Sequence, residues 1–479
     1  MGPSGWRQVI TGTDPSGSSV VNMVAVDTVG DVVAAGFLWN VGTGEDFTVI
    51  KLDGVSGAER WRQVIDGPTH GQDVANSVAV DAAGDVVAAG WLTTPGAAAD
   101  FTVIKLDGVS GAERWRQVID GPAHRNDIAQ AVTVDAAGDV VAAGGITFVS
   151  TFAASFTVLK LDGASGAERW RQVITKTSLV FDDVAWAVAV DAAGDVVAAG
   201  SLNATSTSQT FTVLKVDGAS GAKRWQQDIS SGSARAVAVD AAGNVVAAGS
   251  LATPTSNDFT VIKFDGTSGA ERWRQVITGP SFDGLSGLDA ARVVAVDAVG
   301  DVVAAGSTTT GGTSPDFFTV IKFDGASGAE RWCQVVPTPS GCCLSGVQAV
   351  AVDAAGDVVA AGSIQDSGGS DFTVVKLRGT DGGDFEASAC IGTGASRLRG
   401  RVRVAGRTGL ADVTLRLRGP GDCRETTTTN AQGHYVFRTL GPGTYTVTPA
   451  KDTCTFTPAD RTVTIAARVV RARFRGTCP

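Results

Sequence analysis

The chain has 479 residues, 43% hydrophobic and 18% charged, which exceeds one ordinary core and excludes a disordered composition. Its formal net charge of −10 is unevenly split: from residue 384 onward 15 Lys/Arg stand against 7 Asp/Glu, leaving 24 against 42 before it, so an acidic body and a basic tail read as separate modules. No apolar run approaches eighteen residues without a polar interruption, which excludes a helical membrane span, and "MGPSGWRQVI" shows neither region of a signal peptide.

The first words of the chain, "GWRQVI" at 5–10, recur as "RWRQVI" at 60–65, 114–119, 169–174 and 272–277, where they close a repeat of roughly fifty-five residues. Each repeat carries one turn word, Asp-x-x-Gly-Asp/Asn, with its glycine at Gly30, Gly84, Gly138, Gly194, Gly243, Gly300 and Gly356. Four strands fill a repeat: "SVAVD" (77–81), "DVVAAGWL" (85–92), "DFTVIKLD" (100–107) and "AERWRQVI" (112–119) in the second. "DAAGD" joins the first two and "DGVSG" the last two, with Asp to bond the backbone and Gly to supply positive φ. The apolar runs lack clean alternation, so the sheets bury both faces, as stacked blades do. Val, Ala and Gly of the first two strands suit a crowded centre, and the Phe and Trp of the last two suit a widening rim.

The seventh repeat ends without "RWRQVI", while tryptophans stand at seven equivalent positions: Trp6, Trp61, Trp115, Trp170, Trp225, Trp273 and Trp332. Residues 5–10 are therefore expected to pair with 371–378 and complete the last blade. The expected fold is all-β: a seven-bladed β-propeller over 1–380, closed by the N-terminal strand, then a linker at 381–396 and a small β-sandwich at 397–479. In that tail Arg468, Arg471, Arg473 and Arg475 partly alternate with apolar residues, as on an exposed strand. No nucleic-acid motif accompanies them, and nucleic acid is not expected as a partner. Cys390, Cys423, Cys454 and Cys478 share the tail and fit two disulfides in an oxidising compartment, with Cys423–Cys454 and Cys390–Cys478 one possible pairing.

The long connections share one propeller face and vary, so ligand binding is expected there. The sharpest candidates precede the innermost strands: Asn22, Asn76, Gln130, Trp186, Arg235, Arg292 and Gln348. Their surroundings repeat and they do not, which suits a mouth that holds a polar ligand. His70 and His124, with Asp73 and Asp127 three residues on, occupy equivalent loops; duplication accounts for them and no metal is expected. Asp81 and Asp85 with their copies read as turn caps, since "DAAGD" lacks the spacing of a calcium loop.

"VAVDAAGDVVAAG" and "FTVIKLDGASGAERW" resemble the bacterial SBBP-type propeller repeats, and "LDGASGAERW" resembles the tryptophan-docking words of pyrroloquinoline-quinone (PQQ) dehydrogenase propellers. The adjacent Cys342 and Cys343 are also similar to a cysteine pair at those enzymes' active sites, but their metal-binding acids and catalytic Asp have no counterpart here. The tail words "TTTTNAQGHYVFRTLGPGTYTVTP" and "CTFTPADRTVTI" resemble carboxypeptidase-regulatory-like and Cna-B-like β-sandwich modules. The isopeptide of some such modules is not expected, because Lys451 and Asn430 are misplaced for it. Together these imply a non-catalytic secreted or cell-surface protein that recognises an extracellular glycan or protein and needs no cofactor. The alternative is an extracellular enzyme acting on a polysaccharide or small molecule at the channel mouth.

Overall fold

The computed structural model describes residues 8–478 except 15, 97, 149–152, 175–181, 206–207, 254–256, 278–288, 310–315, 337–345, 354, 367–368, 383–390, 405–408, 419–423, 441–442, 452–453 and 466–468. Residues 1–375 with 379–382 form one compact unit, and 376–378 with 383–479 a second. In the first, strands Val20–Val26, Val32–Asn40, Gly44–Leu52 and Glu59–Ile65 make an antiparallel meander. Five further four-stranded sheets repeat it over 74–119, 128–174, 184–230, 232–277 and 290–336. The seventh has three strands, Gly346–Val352, Val358–Asp366 and Gly369–Leu377.

Both expected turns form as read. Gly84 and its six counterparts take φ between 80° and 92°, and Gly111 with its counterparts between 68° and 74°. Asp81 caps the first turn by accepting the N–H groups of Ala83 and Asp85 through Oδ1, each at 2.9 Å.

The sheets stack face to face. Val33, Ala35, Phe47, Val49 and Trp61 of the first share one core with Ala75, Val78, Val86, Ala88, Leu92, Ile104 and Leu106 of the second. The same arrangement recurs along the next four interfaces. A polar clamp crosses each boundary. Lys51, 5% exposed, holds Asp27 at 2.8 Å in its own sheet and donates to the Gly108 carbonyl of the next at 2.9 Å. Trp61 Nε1 donates to the same carbonyl at 3.2 Å. A Cβ at Gly108 would lie 1.8 Å from Gly84 O, and one at Gly111 would strike the Trp61 ring, so both positions require glycine. Lys105, Lys160, Lys215, Lys263 and Lys322 repeat the clamp onto Gly163, Gly218, Gly266, Gly325 and Gly379.

The two ends of the stack differ from its middle. Val24 is 50% exposed where its counterparts Val78 and Val132 are 6% and 8%. Val374 in the last sheet is 53% exposed where Val49 and Val103 are fully buried. Residues 1–7, Trp6 among them, and the side chain of Phe372 lie outside the described residues, and 8–10 form no strand. The strand expected at 5–10 is thus not among those described.

The second unit holds two four-stranded sheets around Leu398, Val402, Leu415, Tyr435, Phe437 and Phe474. Its first strand, Ile391–Arg403, starts inside 381–396 and runs parallel to Val469–Thr477. Cys454 bonds Cys478, with Cα atoms 4.3 Å apart, so neither Cys423–Cys454 nor Cys390–Cys478, the possible pairing named from the sequence, forms. The reason is strand register: Thr455 pairs with Thr477, so the flanking cysteines face each other. Cys390 and Cys423 lie outside the described residues, as do Cys342 and Cys343.

Two stability predictions follow from the clamp. Lys105→Met leaves Asp81 and Asp85 buried beside an apolar chain and is expected to cost about 3–5 kcal/mol in urea unfolding. The clamp also sets acid lability. Burial disfavours the charged forms of Asp27, Asp81, Asp135, Asp240 and Asp297, but lysine contacts and turn N–H groups outweigh it and hold all five below the usual carboxylate range. Their contribution is present above the unfolded value of about 4 and is lost as pH falls through the lower folded values. The thermal midpoint should therefore drop as pH falls below about 4, and less steeply in Lys105→Met, where one pair is already broken.

Candidate functional site

All seven candidates occupy one structural position, inside the first strand of each repeat sheet rather than ahead of it. In every repeat sheet the pairing of first and second strands shifts by one residue, and the residue skipped is Asn22, Asn76, Gln130, Trp186, Arg235, Arg292 or Gln348. Each is the extra residue of a β-bulge, a device that frees a side chain from the pleat and re-aims it.

The bulge side chains run from sheet to sheet. Asn22 donates to Ala75 O at 3.0 Å. Asn76 donates to Ala129 O at 2.8 Å and reaches Gln130 Oε1 at 3.5 Å. The Arg235 guanidinium lies 4.2 Å from the centre of the Trp186 ring, whose Nε1 donates to Ser201 Oγ at 3.3 Å. Desolvation of the guanidinium by the protein around it, although the residue keeps an exposed edge, and then the like charge of Arg292 lower the Arg235 pKa from its ordinary value. The row thus offers amide groups on the first three sheets, then an aromatic–guanidinium stack and a second cation. Asn22, Arg235, Arg292 and Gln348 are exposed and the other three half-buried.

The histidines do not converge. His70 Nδ1 lies 2.5 Å from Asp66 Oδ2, and His124 Nδ1 lies 2.5 Å from Asp120 Oδ2, each within its own loop. Both residues take left-handed backbone, φ 53° and 49°. Asp73 and Asp127 are instead fully buried struts. Asp73 accepts N–H groups from Gly67 and from Thr93 (2.6 Å), and Asp127 those from Gly121 and from Thr147 (2.6 Å). Burial, aided by nearby carboxylates, pushes Asp73 and Asp127 up to about 6 despite those bonds. The long connections also carry Phe152, Phe181, Phe282 and Asp283, which lie outside the described residues.

Sequence reasoning missed Asp46, Asp66, Asp100 and Asp120, which stand around those struts. The signal was present: Asp66 and Asp120 precede the two histidines by four residues, and Asp46 and Asp100 open the "DFTVIKL" strands.

A second surface lies on the sandwich. Arg399, Arg401 and Arg403 pair in parallel register with Arg471, Arg473 and Arg475, while Ala472 and Phe474 between them face the core. The alternation read in the tail holds for these residues. The resulting open groove, about 690 Å³, is lined by five of these arginines together with His434, Asn430 and Tyr435. Like charges directly opposite on neighbouring strands repel, so an anion there would relieve a standing cost.

The bulges carry a prediction. Asn76→Ala removes one amide contact and should change stability by no more than about 1 kcal/mol. Deleting Asn76 leaves Ala75 and Ser77 opposite the successive residues Gly90 and Ala89, so the ladder becomes regular and only the local bend and twist of the bulge are lost. Chemical unfolding should show the deletion to cost more than the substitution, because it also changes the bend of the strand against the next sheet, while both variants keep the cooperative transition of the parent chain.

Among known families, residues 5–275 and 154–366 match the PQQ_2 model, described as outer membrane protein assembly factor BamB. Residues 396–474 match the second β-sandwich domain of BOS complex subunit NOMO1-like proteins. No curated protein matches the chain. Solved structures that match the chain include BamB from Moraxella catarrhalis, at 14% identity and TM-score 0.37 over 88% of this chain and 95% of that one. PorZ of Porphyromonas gingivalis, a surface component of the type-IX secretion system, matches at 13% identity and TM-score 0.45 over 94% and 59%. The quinohemoprotein alcohol dehydrogenase of Comamonas testosteroni matches at 12% identity and TM-score 0.45 over 79% and 66%.

Proposed function

The chain belongs to the PQQ_2 family of the outer membrane assembly factor BamB, and on that premise we propose that it is a non-catalytic binding or scaffold protein of the cell surface or secreted space. Its seven repeat sheets are the blades of one propeller, and the row of bulge side chains is the ligand surface at its mouth. The observation that carries this reading is the coincidence of two patterns. The bulge is present in every sheet, yet the residue on it is Asn, Asn, Gln, Trp, Arg, Arg and Gln in turn. A purely structural bulge has no need of different side chains, whereas a recognition surface does. Backbone-matching amides, a cation and an aromatic plane suit a polypeptide segment with acidic or aromatic side chains. A protein ligand is favoured over a glycan by the family's description as an assembly factor. The C-terminal β-sandwich, of the broad kind that includes carboxypeptidase-regulatory-like modules, serves as spacer or attachment.

Closure by residues 5–10 is part of the same proposal. Val49 pairs with Gln63 and Val103 with Gln117, so by the repeat Val374 is the partner of Gln8. Oxidation of a Gln8→Cys/Val374→Cys chain should give an intramolecular disulfide in high yield. Only intermolecular or no crosslinks would remove the closed ring.

For recognition, the full chain is to be screened against peptide and glycan arrays. Binding to peptides is expected, and Trp186→Ala/Arg235→Ala should weaken it at least about tenfold while leaving the far-UV circular dichroism unchanged. Turnover of a screened compound with no peptide binding would replace this reading with an enzymatic one.

A further inference from the structure

The geometry points to two divalent-cation sites suited to Ca²⁺, one formed by Asp46, Asp66 and Asp73 and the other by Asp100, Asp120 and Asp127. In each trio one carboxylate oxygen from every residue lies within 4.8 Å of the other two. That spacing is about twice a Ca²⁺–oxygen bond, so one ion fits in contact with all three. The sites bridge neighbours in the stack: Asp46 is on the third strand of the first sheet, Asp66 follows its fourth strand, and Asp73 leads into the second sheet.

Asp73 and Asp127 are held by backbone N–H groups, but three of the other acids keep an oxygen that no partner explains. Asp46 is 3% exposed, and its Oδ2 accepts Asn40 Nδ2 (2.6 Å) and Thr43 Oγ1 (2.8 Å). Its Oδ1 is buried with no hydrogen-bond donor. Asp66 Oδ1 and Asp100 Oδ1 are likewise buried without a donor. Asp100 is 2% exposed, and its Oδ2 accepts Thr94 Oγ1 at 2.5 Å. A buried carboxylate oxygen without a donor costs free energy, and two more carboxylates beside it raise that cost. A cation removes both terms at once.

The donor set selects the ion. All the inner groups are carboxylate oxygens, which suit a hard cation of flexible coordination. The imidazoles are turned outward from this role: Nδ1 of His70 and of His124 faces the second oxygen of Asp66 and of Asp120, orienting a ligand without touching the ion. The repeat alone does not produce the trio. At the third and fourth sheets Ser155 and Thr210 stand where Asp46 stands. At the fifth, Asp258 and Asp289 recur, but Thr278 takes the place of Asp66 in the sequence.

The test uses the full chain, stripped with EDTA and titrated with CaCl₂ by isothermal calorimetry and thermal unfolding. Two ions per chain are expected, with dissociation constants below about 1 mM. Asp46→Asn should reduce the count to one and Asp46→Asn/Asp100→Asn to none. The midpoint of the parent chain should rise with Ca²⁺ and that of the double variant should stay fixed. Asp289→Asn, at an interface without the third acid, should still bind two. The amide introduced by Asp46→Asn can donate where the carboxylate repelled, so without metal the double variant should melt no lower than the parent, which reports that it is folded. Failure of the parent to bind Ca²⁺ at about 5 mM, or a count of two retained in the double variant, overturns the proposal. Neither outcome touches peptide binding at the bulge row.

Discussion

A single buried ammonium group organises the boundary between one sheet and the next. Lys51 and its copies sit among apolar residues, where an unpaired charge is prohibitive, so each must find an anion and a carbonyl in fixed positions. The anion is the turn-capping Asp of the same sheet, and the carbonyl belongs to the glycine that the neighbouring sheet presents beneath the tryptophan. The turn, strand three, strand four and the next sheet are therefore fixed by one cluster. This cluster accounts for the most invariant words of the repeat: Asp for the cap and the counter-ion, Lys for the clamp, Gly for the approach, Trp to seal it. Apolar contact between the sheets adds most of the area, but Val and Ala faces alone do not specify register; the directional bonds do.

This division of labour separates the constant positions from the variable ones along each repeat. The clamp lies near the tight turns, and there the sequence scarcely varies. The bulges lie toward the other end of the first strand, beside connections that vary in length and composition. A side chain on a bulge projects away from the pleat and lies outside the apolar cores that the sheets share. It is therefore free to differ from sheet to sheet without disturbing the stack, and that freedom is what a surface assembled from near-identical units requires to become asymmetric.

Much of the repeat unit was legible in the sequence because its signals are local. The glycines of "DAAGD" and "DGVSG" announce positive φ, and the β-branched runs between them bound the strands to within a few residues. The candidate row was legible for a different reason: seven variable positions stood out against a repeated background. That they are bulges was not, since a one-residue shift in pairing depends on the partner strand. The clamp made by the lysine within "FTVIKL" was not legible, because its counter-charge lies twenty or more positions away and its acceptor in another repeat. In the sandwich, Cys454–Cys478 escaped prediction because the pairing follows from strand order, which nothing near either cysteine encodes.

The uncovered valines at the two ends of the stack have a consequence for the state of the protein in solution. The outward face of the first sheet has the chemistry of every inward face it resembles, and the last sheet presents the complementary one. A junction between unlike faces has no dyad to terminate it, so between separate molecules it adds copies without limit. Within one molecule the two faces are tethered, and their effective concentration far exceeds that of any neighbour. For the described sheets, whether one chain stays single is thus a contest between a tether and a concentration.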